Sequence, residues 1–421
     1  MSKEELENIK NELDELMSSM KKDQENNVPE MDKVFFDNEK PIVYKEKTEE
    51  EIKLQEEIEK EKIKEEAKVE EKKQPKKEKK NKKKKKDKKK SKKWVITFGI
   101  LDVLAIVCIF LMYGPISYFR NLWVTSAMTT MTHKYLAYIF FNQEQIDDIM
   151  SNNIVIEVEG ETNKEEIEFE EETPIVYSSP EEEQILKRDE GNDVYKVIDV
   201  EGDGYKGHML VVYDPSKIQL EKVPNMKYGR TLDQFINKTG AVAGTNAGGF
   251  NYNSYSGYSF TGTVIIDGQI VADNGSTGWG GGIIGFTNDN VLVLTKTSAY
   301  QALNMGIRDA VSFGPFLIVN GVPSQFRGNG GYGIAPRTAI GQRKDGIVLL
   351  LVIDGRRPGH SLGVDMVELT NIMLKYGAYN ASNLDGGGSS TFYANGKILS
   401  VAGGSGYEGD RYLPNAWLVY E

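Results

Sequence analysis

Residues 94–113 read WVITFGILDVLAIVCIFLMY, twenty residues with a single charge, Asp102. As a helix rising ~1.5 Å per residue, such a run is ~30 Å long, the thickness of a bilayer core. Twelve of its residues are Val, Ile, Leu or Phe. Each favours insertion by roughly 0.3–0.6 kcal/mol, which together outweighs one Asp at roughly 2.5–3.5 kcal/mol. A buried core helix is the rival reading. We read 94–114 as a single transmembrane signal anchor, which divides the chain in two. Charge divides it at the same place. Residues 1–93 carry 29 Lys/Arg and 26 Asp/Glu, and the remainder carries 23 and 37, so the nets of +3 and −14 sum to −11.

The segment before the apolar run is KKQPKKEKKNKKKKKDKKKSKK, residues 72–93, with 16 Lys against Glu78 and Asp87. Clustered Lys beside a span stays on the cytoplasmic side, which predicts an N-terminus inside and a C-terminal domain outside the cell membrane. The same run would meet anionic lipid heads. A nucleic-acid arm would interleave aromatic residues for base stacking, and none are present. Residues 1–93 are otherwise charged and of low complexity, expected to be disordered or helical in part. Within 2–20, Leu6, Ile9, Leu13, Leu16 and Met20 recur at spacings of three and four after a Ser2–Glu5 capping pattern. That is the seam of a short coiled coil and a route to self-association through residues 6–20, with a transient helix as the alternative. Beyond the span, 115–190 reads as a juxtamembrane helix and an acidic stalk. Residues 154–190 hold 14 acids against three bases, and self-repulsion predicts an extended, solvated segment.

Only one cysteine, Cys108, is present, so no disulfide is formed within the chain. A domain of about 230 residues buries enough apolar area without one. Residues 191–421 read as that domain. Short apolar runs such as HMLVVYDP, GTVIIDGQIV, NVLVLTKT, FLIVNGV, GIVLLLVIDG and TFYANGKILS predict strands. Asp-Gly and Asn-Gly pairs at 267–268, 320–321 and 395–396 predict tight hairpins. Helices are expected at 231–238 and 363–376, the latter closed by Gly377. Hairpins with few helices predict an α+β fold with a mixed or mainly antiparallel sheet, not a doubly wound nucleotide fold.

Three segments run from an apolar strand into glycines: AVAGTNAGGFN (241–251), LLLVIDGRRPGHS (351–361) and NLDGGGSST (383–391). Glycines allow close ligand approach, and their successive amides form anion-binding nests. Arg337, Arg356 and Arg357 lie beside them in sequence, with Asp354, Asp385 and Asn246. This set suits an anionic, oxygen-rich ligand. Each part alone also has a plain reading: Asp385 and Asp354 as turn residues, Arg337 as a surface ion-pair partner. The stretch GWGGGIIG at 278–285 opens no helix and is discounted as a dinucleotide loop. No nucleophile elbow surrounds Ser389. No His/Cys cluster suggests zinc, and no cofactor is expected, although Asp385 or Asp354 could hold calcium or magnesium.

Taken together, GTNAGGF, GPFLIVNG, APRTAIGQ, LLVIDGR, GVDMVELTNIMLKYGAYNASNLDGGGSSTF and PNAWLV resemble the phosphodiester glycosidase family in order and spacing over 195–421. The family includes the uncovering enzyme that removes N-acetylglucosamine from a sugar-1-phosphodiester, and it occurs in bacterial envelope proteins. The resemblance implies an α+β glycoside hydrolase domain in which Asn246, Arg337, Asp354 and Asp385 line the active site. Asp385 would then be base or nucleophile with Asp354 as its partner. Arg337 would hold the phosphate with the amides of Gly248, Gly249, Gly386, Gly387 and Gly388. Asn246 and His360 would grip sugar hydroxyls, and Ser389 and Arg356 would complete substrate binding. The expected substrate is a GlcNAc-type sugar-1-phosphodiester in an envelope polysaccharide or other glycopolymer. Two other readings remain. One is a non-catalytic module that binds phosphate-bearing envelope polymers during exopolysaccharide assembly. The other is a scaffold that recruits partners through residues 6–20.

Overall fold

The computed structural model describes residues 97–130, 133–169, 176–275, 280–401 and 411–421. The 6–20 seam, the Lys run 72–93 and residues 94–96 lie outside them. In the strand Val348–Ile353 every residue is buried. Leu350 and Val352 enter one apolar cluster, and Leu349, Leu351 and Ile353 enter another. A strand with both faces covered reads as an unbroken apolar run because alternate side chains point to opposite layers.

This strand lies inside a seven-stranded sheet. From edge to edge it contains Val322–Pro323, Phe316–Val319, Ala378–Asn383, Arg337–Arg343, Val348–Ile353, Tyr205–Val212 and Tyr195–Gly202. All of its paired strands are antiparallel. One face packs on helix Met366–Lys375 through Met366, Leu369, Ile372 and Met373. The other meets two five-stranded sheets, through residues such as Phe286, Val311, Phe392 and Trp417. The first of these holds Lys397–Ile398, Phe392–Ala394, Ala243–Asn246, Asn415–Val419 and Ile218–Lys222. The second holds Leu292–Thr295, Gly282–Thr287, Ile307–Phe313, Thr263–Ile266 and Gln269–Asp273. The α+β class with mainly antiparallel sheets is therefore observed.

Local chemistry matches the elements. Helix Leu232–Thr239 opens on a capping box between Thr231 and Gln234 and ends at Gly240 with φ of 80°. The turn pairs Asp267–Gly268, Asn320–Gly321 and Asn395–Gly396 all have positive φ, as two-residue hairpins require. The described part of GWGGGIIG, residues 280–285, enters a strand, Gly282–Thr287, and not a helix.

The acidic segment does not stand free. Ile154–Ile156 pairs with Gln325–Arg327. Glu157 Oε1 accepts from the amides of Gly281 at 2.5 Å and Phe316 at 3.1 Å, and its Oε2 meets Lys296 Nζ at 2.5 Å. Glu161 accepts from Thr295, and Glu166 from Tyr379. Helix Pro180–Leu186 buries Ile185 against the seven-stranded sheet. The expectation of a self-repelling stalk fails for these described parts because their carboxylates find donors on the domain.

Upstream, helix Thr97–Tyr113 is followed by helix Ser117–Met128 at an angle of 84°. Among the described residues no single helix is long and apolar enough to cross a membrane; this bent pair passes only when taken together. The break falls at Gly114–Pro115, where proline disfavours helical geometry in the residue before it. Met112, Val124, Ala127, Phe141, Ile146 and Ile149 form a small separate core.

Candidate active site

Strand register brings the candidate loops to one place. Arg337 is paired with Ile353, the residue before Asp354. Asn383 is paired with Ala339, so Asp385 follows at the same end of the adjacent strand. Pro336 joins them: its carbonyl accepts from the Gly387 amide at 2.8 Å, and a Cβ on Gly355 would lie 2.8 Å from its ring. From the neighbouring sheet, the Asn246 amide donates to the Asp385 main-chain carbonyl at 2.6 Å.

Asp385 is part-exposed above Leu384, which is fully buried. Burial of its carboxyl among protein atoms pushes its pKa up to about 6; Ser389, the Arg411 charge and the Gly386 amide oppose the rise. The buried Ser389 hydroxyl makes no hydrogen bond of standard geometry, but its closeness still favours the charged carboxylate. The glycine loop is flanked by cations. A Cβ on Gly387 would lie 3.6 Å from Arg356 Nη2, and one on Gly388 would lie 3.7 Å from Arg411 Nη1. Arg411 also lies over the Phe250 ring, 4.9 Å from its centroid. Arg356 holds φ of 58°, a left-handed conformation that a side chain adopts at a cost. Small residues thus leave an exposed ledge between a carboxylate and two guanidiniums.

Other candidates are close by but differently employed. Arg337 is buried, and its guanidinium donates to the carbonyls of Val364 at 3.1 Å, Tyr332 at 2.8 Å and Gly333 at 2.6 Å. Burial first, and then the Arg356 charge, lower its pKa to about 10. It is a clamp on the 332–333 loop more than an open phosphate grip. Asn246 is also committed: its Oδ1 accepts from Thr338 Oγ1 at 2.7 Å and the Thr391 amide at 3.1 Å. Asp354 is buried, with one oxygen 2.7 Å from His360 Nε2 and the other accepting from the Val401 amide at 2.6 Å. It holds loops together and leaves His360 part-exposed beside them.

Gly248 and Gly249 follow Ala247, whose carbonyl accepts from the Asp385 amide at 3.2 Å. A Cβ on Gly248 would lie 2.9 Å from Val311, and one on Gly249 2.7 Å from Phe313, so close sheet packing requires glycine at both. The Gly387 amide is occupied by Pro336. Of the sequence candidates, Asp385, Gly386, Gly388 and Arg356 therefore form the accessible part, and Arg337, Asn246 and Asp354 support it. Arg411 is the member that sequence patterning missed; its only signal is a guanidinium shortly before PNAWLV. Among the described residues no group of three His, Cys, Asp or Glu could hold a metal ion.

Residues 239–420 match the family described as phosphodiester glycosidase. These residues belong to the phosphodiester glycosidase family. Over 84 residues, 20% of the chain, the sequence is 38% identical to a bovine N-acetylglucosamine-1-phosphodiester alpha-N-acetylglucosaminidase. Over 167 residues, 38% of the chain, it is 29% identical to an uncharacterized SPbeta prophage-derived protein of Bacillus subtilis. The matched segments span 14% and 25% of those relatives' own lengths. The catalytic domain of the zebrafish glucosaminidase aligns with 55% of this chain and 85% of its own at 20% identity and a TM-score of 0.46. The phosphodiester glycosidase match begins downstream of the strands Tyr195–Gly202, Tyr205–Val212 and Ile218–Lys222.

Proposed function

We propose that the domain hydrolyses a sugar-1-phosphodiester of the GlcNAc type, carried by an envelope polysaccharide or other glycopolymer. The observation that supports this most is the ledge at Asp385, a carboxyl poised near neutrality beside Arg356 and Arg411. A phosphodiester leaves readily as an anion, so protonating it matters less than in an ordinary glycoside. Two needs remain. Asp385 accepts a proton from the attacking water, and the two guanidiniums stabilise the phosphate that departs from the anomeric carbon. Positions for these groups are set by Asn246 on the Asp385 carbonyl, and by Arg337 and Asp354 on the loops beside it.

The chain is further proposed to be a single-pass membrane protein held by the apolar segment from residue 94, with its Lys-rich side cytoplasmic and the enzyme domain outside. Helix Thr97–Tyr113 supports this, because Ile100, Val103, Leu104, Ile106 and Ile109 all lie exposed on it.

A binding-only module is the second reading, favoured by one fact: Asp354 is spent on His360 and Val401, so among the described residues it offers no second free carboxylate beside Asp385. Incubating the full chain with a GlcNAc-1-phosphodiester separates the two. Release of free sugar, lost in Asp385→Asn, supports hydrolysis. Saturable binding with no release in the wild type overturns it.

A further inference from the structure

On the single-pass reading proposed above, the 84° bend sets how the two upstream helices meet a bilayer. With Thr97–Tyr113 along the membrane normal, Ser117–Met128 lies almost in the membrane plane. It cannot continue the crossing, because its C-terminal half is occupied. Val124 and Ala127 enter the small core with Met112 and Phe141. Thr125 Oγ1 accepts from Asn329 Nδ2 at 2.9 Å, and Thr129 Oγ1 donates to the Tyr332 carbonyl at 3.2 Å. Its N-terminal end, beside the apolar helix, is bare: Ile116, Tyr118 and Phe119 are exposed. Tyr135, Tyr138 and Ile139 are exposed on the following segment. The two sets are neighbours, since the Tyr113 hydroxyl donates to the Phe140 carbonyl and the Trp123 indole donates to the Leu136 carbonyl at 2.9 Å.

We propose that this aromatic surface is seated in the headgroup region of the bilayer from which the apolar helix emerges. Tyrosine rings with polar tips favour that depth, and a helix lying in the interface buries one apolar side there. The seat is continuous with the end of the apolar helix, which argues for lipid over a protein partner.

The seat also reaches the site. Tyr332, bonded by Thr129, and its neighbour Gly333 are two of the three residues whose carbonyls hold Arg337. From Phe119 to Thr129 is ten residues, ~15 Å along a helix axis. The ledge at Asp385 is thereby held close over the membrane in a fixed pose. The substrate class follows and rests on the hydrolytic reading above: a sugar-1-phosphodiester presented at the bilayer surface, not one free in solution.

Hydroxyl-radical footprinting of the unmodified full chain, one copy per lipid nanodisc, tests the seat without any substitution. Tyr118 and Tyr138 are 57% and 47% exposed in the protein alone, against 93% for Tyr255. Lipid cover should lower their modification about tenfold or more relative to Tyr255, beyond the difference in exposure. Modification proportional to those exposures overturns the proposal, and a single copy per disc removes a second chain as the source of protection. In the same discs, a lipid-borne sugar-1-phosphodiester should be cleaved with a kcat/KM about tenfold or more above its soluble counterpart, through local concentration. Protection without cleavage of either compound leaves the seat standing and refutes the hydrolytic reading. Equal cleavage of both refutes the substrate class alone.

Discussion

The side-chain amide of Asn246 donates to the main-chain carbonyl of Asp385 at 2.6 Å, across the junction of two sheets. Asn246→Ala would leave the Asp385 carbonyl, the Thr338 hydroxyl and the Thr391 amide without this partner. The expected loss is about 2–4 kcal/mol of stability from unpaired buried groups. Urea unfolding measures it, and activity should fall with it because the Asp385 loop loses its tether.

Asp385→Asn should lower kcat about 10²–10⁴-fold, the usual worth of a positioned base. In the wild type, kcat/KM should rise with pH through about 6, where the carboxyl loses its proton. The stability effect has the opposite direction to its catalytic use. Burial raises the folded pKa from 3.8 to about 6, so between those values the folded state binds more protons than the unfolded state. Wild-type stability therefore declines as pH rises through this window. Above pH 6 the Asn variant should be the more stable by about 1–3 kcal/mol, with the gap closing toward pH 4. Denaturant unfolding across pH 4–8 measures this, and a gap that widens at low pH would contradict the assignment.

Arg337 and Arg356 should separate cleanly. Arg337→Lys cannot reach three carbonyls with one fork and should cost about 2–4 kcal/mol of stability. Arg356→Gly keeps the positive φ at that position without strain. Its thermal midpoint should hold while KM for the phosphodiester rises roughly 10–100-fold, the worth of one charge-assisted contact. Thermal melts and initial rates on both variants decide it.

Glu157→Ala removes the acceptor of two backbone amides and the partner of Lys296. A stability loss of roughly 2–4 kcal/mol is expected by chemical denaturation. Little or no change would mean that the 154–169 segment is dispensable to the fold.

Gly333→Ala places a Cβ 2.3 Å from Ser126 Oγ at a φ of 59°. It should push helix Ser117–Met128 off the loop that carries two of the Arg337 acceptors. Faster hydrogen exchange in residues 117–128 and reduced turnover should appear together.

Much of this was legible from the sequence because it is local. Asp-Gly and Asn-Gly pairs dictate their hairpins, Gly377 ends helix Met366–Lys375, and unbroken apolar runs become strands covered on both faces. The convergence of the glycine loops was legible through the resemblance. What escaped was long-range. Nothing near Glu157 in sequence reveals that the amides of Gly281 and Phe316 await it, so a run of acids read as repulsion. Nor does AGG announce that Val311 and Phe313 press against it, so the packing that also requires these glycines was not legible. Asp354 and Asn246 look like chemistry in one dimension and prove to be joints in three.

The family match starts at residue 239, but Leu210, Ile218 and Leu220 upstream of it are fully or almost fully buried in the same core as Trp417. Kinship and foldability thus have different borders in this chain. A fragment trimmed to the shared segment would expose an unfinished sheet edge and an open core, and would be expected to aggregate. Expression should begin upstream of Ile154, where the first strand to cross onto the domain is laid down.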